Sequence, residues 1–273
     1  HSKPGTTSSI LTLEELNNFT QKVQNVQCGL CGNHCQMTVS VFQDGKRFIT
    51  GNRCDRPITG KSNDDTLNLY AYKQQQLSQL MKNPGNGTRG KIGIPMVLNM
   101  YELLPFWHAF FTNLGFQVIV SPFSNRKLYQ AGQGSIPSDT VCFPAKLTHG
   151  HIMALLKKDV DAIFYPCMSY NIDEGLGDNH YNCPVVAYYP EVLAGNIREL
   201  EDTKFIYEYL NLEQRKDFVR LMPKIMQKYY PDLKTSDIHN AIEVAYTAYR
   251  KHMEDTRKEA ERMMTEARNK GKR

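Results

Sequence analysis

A chain of 273 residues with 41% hydrophobic and 22% charged side chains has a globular composition, with apolar material for one large domain or two small ones. Its 33 Lys and Arg against 28 Asp and Glu leave a net charge of +5, too mild and dispersed for a nucleic-acid-binding stripe. No apolar run reaches the ~18 residues of a membrane span, and HSKPGTTSSI lacks the features of a signal peptide, so neither nucleic acid nor membrane is an expected partner.

In chain order, Leu11–Leu16 reads as a short helix with Thr12 as cap and Glu15 closing a capping box. The cysteine run CGLCGNHC follows, then VSVF and RFIT around Asp44-Gly45, the dipeptide of a tight hairpin. Leu67 to Met81 is helical and ends in the breaker cluster NPGNG. From Lys91 the pattern changes. KIGIPMVL, FQVIV, DAIFYP and PVVAYY read as strands, separated by the helix YELLPFWHAFFTNLG, closed by Gly115, and by a helix over Lys146–Lys158. Such alternation predicts a Rossmann-like α/β fold, a parallel sheet with helices on both faces. Beyond Glu201 only helices are expected, near Thr203–Leu210, Glu213–Tyr229 and Ser236–Arg268. The expected organisation is therefore a cysteine-rich hairpin module over 1–62, a helical linker over 63–90, the α/β domain over 91–200, and a helical segment over 201–273. A start at His1-Ser2 without Met, and a charged helix running to Gly-Lys-Arg, suggest a piece of a longer protein.

Seven cysteines without a secretory signal point to a reduced, cytoplasmic setting and to metal or redox chemistry rather than a disulfide framework. Cys28-x-x-Cys31 is a metal knuckle, and Cys35 follows closely. A two-residue turn at Asp44-Gly45 would set Cys35 directly across the ladder from Cys54, so Cys28, Cys31, Cys35 and Cys54 form a four-thiolate site. Zinc and a 4Fe–4S cluster both take four thiolates, and His34 could replace one of them. Cys142 precedes the first-turn proline of a helix, Cys167 ends a strand at the carboxyl edge of the sheet, and Cys183 closes a polar loop able to fold over that edge. Three thiolates would leave a cluster with one open position.

Other groups have ordinary readings. His149 and His151 read as helix-surface or core-satisfied histidines, and Asp173, Glu174 and Asp178 as loop solvation. Phe106, Trp107, Phe110 and Phe111 read as core, and Gly132-x-Gly134 lacks the rest of a dinucleotide fingerprint.

Taken together, CGLCGNHCQMTVSVFQDGKRFITGNRC, KIGIPMVLNMYELLPFWHAFFTNLGFQVIVS, SDTVCFPAKLTHGHI, DAIFYPC and NCPVVAYYPEV resemble the 2-hydroxyacyl-CoA dehydratase-related family over roughly Val26 to Leu193. More narrowly they resemble the branch whose long chains join an activator-type ATPase to a dehydratase-like component. The resemblance implies an iron–sulfur cluster on Cys142, Cys167 and Cys183, either a 4Fe–4S type with a non-cysteine ligand or a double-cubane type shared between two subunits, here a homodimer. It implies low-potential electrons delivered by an ATP-hydrolysing activator. No P-loop is present, so that ATPase is expected on another chain or elsewhere in a longer one. The family has two Rossmann-like halves, of which this chain supplies one. The rival expectation is a non-catalytic interaction module holding structural zinc.

Overall fold

The structure, a computed structural model, describes residues 10–30, 33–60, 67–175 and 177–270. The chain forms two compact units, His1–Asp65 and Thr66–Arg273.

The first unit opens with α1 (Leu13–Asn17), where the capping box is formed. The Glu15 amide donates to Thr12 Oγ1 at 3.3 Å, and the Thr12 amide donates to Glu15 Oε2 at 2.7 Å. Where the Asp-Gly signal predicts a two-stranded hairpin, the unit is a three-stranded antiparallel sheet in the order β1-β2-β3: β1 (Gln21–Gln27), β2 (Gln36–Phe42) and β3 (Arg47–Thr50). A short α2 (Arg56–Thr59) follows.

The connection between β2 and β3 is also one residue longer than expected. The Phe42 amide donates to the Lys46 carbonyl at 2.9 Å, which leaves Gln43, Asp44 and Gly45 as a three-residue loop with Gly45 at φ 78°. In loops of this length a left-handed residue closes the turn, and glycine takes that conformation without cost. The pairing shifts by one, Val41 opposite Arg47 and Thr38 opposite Thr50, so the register that would set Cys35 against Cys54 does not occur.

The second unit begins with α3 (Leu69–Lys82), capped by Asn68, whose side chain accepts from the Ala71 amide at 3.1 Å. Its sheet comprises β4 (Lys91–Ile94), β5 (Gln117–Val120), β6 (Ala162–Phe164) and β7 (Lys204–Ile206), all parallel, in the order β5-β4-β6-β7. The helices are α4 (Asn99–Glu102), α5 (Leu104–Asn113), α6 (Arg126–Gly132), α7 (Phe143–Leu156), α8 (Pro184–Asn196), α9 (Arg215–Tyr229) and α10 (Thr235–Asn269). Two stretches differ from expectation. PVVAYY is the start of α8 rather than a strand, and KFI is a strand inside a stretch read as helix.

Because the sheet grows from β4 in both directions, its crossover helices cover opposite faces, as right-handed connections require. On one face α5 lies against β6, with Trp107 and Phe164 ring centroids 4.6 Å apart, and α10 closes over α5 through Phe106 and Tyr246 at 5.0 Å. Phe106, Trp107, Phe110 and Phe111 are all fully buried, the core role their spacing predicts. Burying each such ring contributes about 1.5–3 kcal/mol. On the other face Leu155 of α7 meets Gly93 and Ile163. Among the described residues no helix is long and apolar enough to cross a membrane.

Candidate functional site

In a parallel α/β sheet each crossover helix runs back toward the amino end of the next strand, so its own N-terminus sits at the carboxyl edge. α7 leads into β6 and α8 into β7, and their N-cap residues are Cys142 and Cys183. A proline stands in the first turn of each helix, Pro144 and Pro184, where its missing N–H costs nothing, and neither N-cap side chain makes a capping bond. Both cysteines are exposed at the amino end of a helix.

Cys167 reaches the same edge from β6 and is fully buried. Its amide donates to the Glu208 carbonyl at 3.1 Å, and its carbonyl accepts from Leu210 at 2.9 Å, extending the sheet beyond β7. Burial pushes its thiol up to about 12, and the charge of Glu191 adds to the effect. The loop after Cys167 folds back as its polar sequence predicts. Asn182 donates its amide to Ser169 O at 2.8 Å and its side-chain nitrogen to Met168 O at 2.8 Å, which brings Cys183 beside the end of β6.

Behind the cysteines lie two buried histidines of α7. Ser135 Oγ donates to Gly132 O at 3.0 Å, so the 2.8 Å contact to His149 must be Nδ1–H donating to Ser135. That leaves Nε2 to accept from the Tyr189 hydroxyl at 3.1 Å. His151 is held between Ser121 at 2.6 Å and Ser124 at 2.9 Å. Burial lowers both imidazoles to about 4.

This has a consequence for acid stability. The folded histidines stay neutral until about pH 4, while in the unfolded chain each takes a proton near 6.5. Stability is therefore fully present above pH 6.5 and lost as the pH falls, by about 2 kcal/mol per histidine between pH 7 and 5. His108, also lowered by burial, acts in the same direction. Urea midpoints should fall across this window, above the carboxylate range, and His151→Gln should flatten the slope. A midpoint constant from pH 7 to 5 would contradict the neutral, buried assignment.

A cavity of about 370 Å³ opens between the N-termini of α7 and α8, walled by Pro137, Val141, Pro184, Val185, Tyr189 and Val192. No Lys or Arg lines it, so it is built for apolar rather than phosphate groups. The Tyr165 hydroxyl is buried without a hydrogen-bond partner among the described residues. Burial raises this phenol, and the nearby Cys167 and Tyr189 raise it further. Neither Tyr165 nor Tyr189 was singled out in the sequence, where nothing marks a tyrosine whose partner is far along the chain.

The residues present suit an iron–sulfur group in kind. They supply soft thiol donors at one sheet edge and an apolar wall. Cys142, Cys167 and Cys183 all lie along this edge, but among the described residues no three His, Cys, Asp or Glu side chains form a group that could hold a metal ion.

In the first unit, the β1–β2 ladder continues through a bond from the Cys28 amide to Cys35 O at 2.8 Å, so Cys35 stands opposite Cys28. His34, at φ 44°, directs Nδ1 to Cys28 O at 3.3 Å. Cys54 follows Gly51, where a Cβ would stand 2.3 Å from Gln36 O, so the segment bearing Cys54 passes against the residue next to Cys35. Cys31 lies outside the described residues.

A doubly wound domain with a cysteine-bearing carboxyl edge is the class that fold and site define. The chain belongs to the family described as the CoA enzyme activase uncharacterised domain, whose model matches residues 91–273. This is a 2-hydroxyacyl-CoA dehydratase/activase-related family, in agreement with the resemblance of the motifs. The match begins at β4, so the four cysteines of the first unit lie outside it. No curated protein and no solved structure matched the chain.

Proposed function

We propose that this chain is a dehydratase-like component of an activator-driven electron-transfer system, with Cys142, Cys167 and Cys183 as ligands of an iron–sulfur cluster. The observation that carries the reading is that three cysteines from separate stretches arrive at one carboxyl edge, two of them as helix N-caps. Such a cluster supplies one-electron reduction at low potential. The chain's own groups set two exposed thiols at helix N-termini, shield Cys167, and keep an apolar wall beside the edge. The electron donor is an ATP-hydrolysing activator, in trans or elsewhere in a longer chain, and a cluster of the double-cubane kind would require a homodimer. The setting is cytoplasmic.

The test is iron and acid-labile sulfide per chain on protein purified without oxygen. Iron and sulfide are expected in the wild type and should be lost, with the fold intact by circular dichroism, when Cys142, Cys167 and Cys183 are replaced by Ala. Wild-type protein without sulfide would end the redox reading.

A separate metal site in the first unit is favoured by an independent observation. Among that unit's described residues only Cys28 and Met37 are buried, too little to hold a sheet together alone. We assign Cys28, Cys31, Cys35 and Cys54 to a four-thiolate site holding zinc or a 4Fe–4S cluster. With zinc there and no cluster at the sheet edge, the chain would instead be a non-catalytic interaction module.

A further inference from the structure

We propose that the cavity between α10 and the loop after β6 binds an organic anion with an apolar body, its carboxylate held by Arg250. The site is independent of any metal at the cysteines and goes beyond the reading above. It lies where an open parallel sheet offers a ligand site. The chain leaves β4 first toward β5, and later continues on the other side of β4 through β6 to β7. The connections leaving the carboxyl ends of β4 and β6 therefore part, which opens a crevice between them.

α10 reaches this crevice from the amino edge of the sheet. Near its start Asn240 donates to Asn113, the last residue of α5, at 3.1 Å. Further along, Tyr249 is buried, and its hydroxyl donates to Glu174, in the loop after β6, at 3.2 Å. Burial raises this phenol, and the charges of Glu174 and of Glu102, on α4 after β4, raise it further. Tyr249 thus stands beside both carboxyl-end connections. Next to it opens a cavity of about 790 Å³, bounded by loop residues 172–174 and by Tyr246, Tyr249, Met253 and Ala260 of α10. Small-ligand sites run to about 300–1,000 Å³. Steps of three, four and seven residues set these four side chains on one face of the helix, as a largely apolar wall.

The charges around the cavity decide what it takes. Glu254 is paired with Arg257 at 2.8 Å and Lys258 at 3.3 Å, Glu174 accepts from Tyr249, and Asp173 accepts from the Gly175 amide at 2.7 Å. Arg250, also at the cavity, makes no ion pair among the described residues and donates only to Thr247 Oγ1 at 3.4 Å. Glu243, the acid two turns back on α10, is held by Arg215 instead. The uncommitted charge is therefore a guanidinium at the rim of an apolar cavity. Its planar fork matches a carboxylate through two parallel hydrogen bonds, while the tyrosine and methionine wall takes the apolar body.

Octanoate and its uncharged counterpart octanamide, titrated calorimetrically into the full chain, test this. Octanoate should bind about tenfold more tightly than octanamide, the margin of one charge-assisted pair. Arg250→Gln should erase that margin by weakening octanoate alone, with the urea midpoint unchanged because the arginine holds no ion-pair partner in the fold. Ala260→Phe, which fills the cavity, should abolish binding of both probes. Equal binding of the two by the wild type, or binding of neither, overturns the proposal. Octanoate binding that survives Ala260→Phe also overturns it, since the ligand then sits elsewhere. Iron and sulfide analysis tests the cluster reading separately, and neither result decides the other.

Discussion

Gly150→Ala is expected to lower the unfolding free energy by about 3 kcal/mol, among the largest effects of any single added methyl in this chain. The reason is the crossing of α6 and α7, which interlock at two glycines. A Cβ on Gly150 would stand 2.1 Å from Leu128 O, and one on Gly132 would stand 2.2 Å from Gly150 N. Both obstacles are backbone, so no side-chain rotation relieves them and the helices must separate. Alanine's better helix propensity, worth about 1 kcal/mol, works the other way but is the smaller term. Gly134→Ala, with nothing within 4 Å of the added methyl, should be near neutral and serves as the reference. The damage should extend beyond stability. Leu128 and Gly132 belong to α6, while His149, His151 and the Cys142 cap are carried by α7. Parting the helices therefore loosens the contact of His149 with Ser135 and alters the reactivity of the Cys142 thiol. Urea unfolding and the rate of alkylation at Cys142 read the two effects separately. Equal stability of Gly150→Ala and wild type would refute the close crossing.

That crossing illustrates what the sequence leaves unread. The period-3.6 pattern of α5 and the short apolar runs of β4 and β5 are legible because burial dictates residue type along one continuous stretch. Gly132 and Gly150 acquire meaning only through each other, across eighteen residues, and Gly132-x-Gly134 read locally suggests a weak phosphate motif instead. Local composition also misleads at PVVAYY, whose β-branched residues favour a strand. The better signal there is the cysteine followed by a proline, the same helix start that is readable at Cys142-Phe143-Pro144. The strand β7 is three residues long, and pairing with β6, not propensity, makes it a strand. At the site, the cysteines stand out because few roles suit them. Tyr165 and Tyr189 do not, because a tyrosine's role depends on whether its hydroxyl finds a partner, which is settled in three dimensions. The hairpin register fails by one residue for a related reason. Asp-Gly specifies that the chain turns but not whether the loop has two residues or three, and one residue is enough to take Cys54 out of register with Cys35.

If the four cysteines of the first unit hold a metal as proposed, its removal should have the second large effect, unfolding that sheet while the α/β unit stays folded. The described residues of this unit leave Leu13, Val23, Phe48 and Ile58 exposed and bury only Cys28 and Met37. A three-stranded sheet without an apolar core does not hold by itself, since strand pairing contributes little without burial. A structural metal can provide what the core lacks, with apparent binding free energies of about 10–16 kcal/mol in small zinc domains. The sheet geometry supports this placement. β1 and β2 pair as far as Cys28 and Cys35, and the chain after β3 returns against Gln36 on its way to Cys54. In hydrogen exchange, a strong chelator or Cys28→Ser should abolish protection at Gln21–Gln27, Gln36–Phe42 and Arg47–Thr50, and leave β4 to β7 as protected as before. Acid should mimic the chelator, because protonated thiols release the metal. Protection that survives complete metal removal would show that the sheet stands without it, and the four cysteines would then need another explanation.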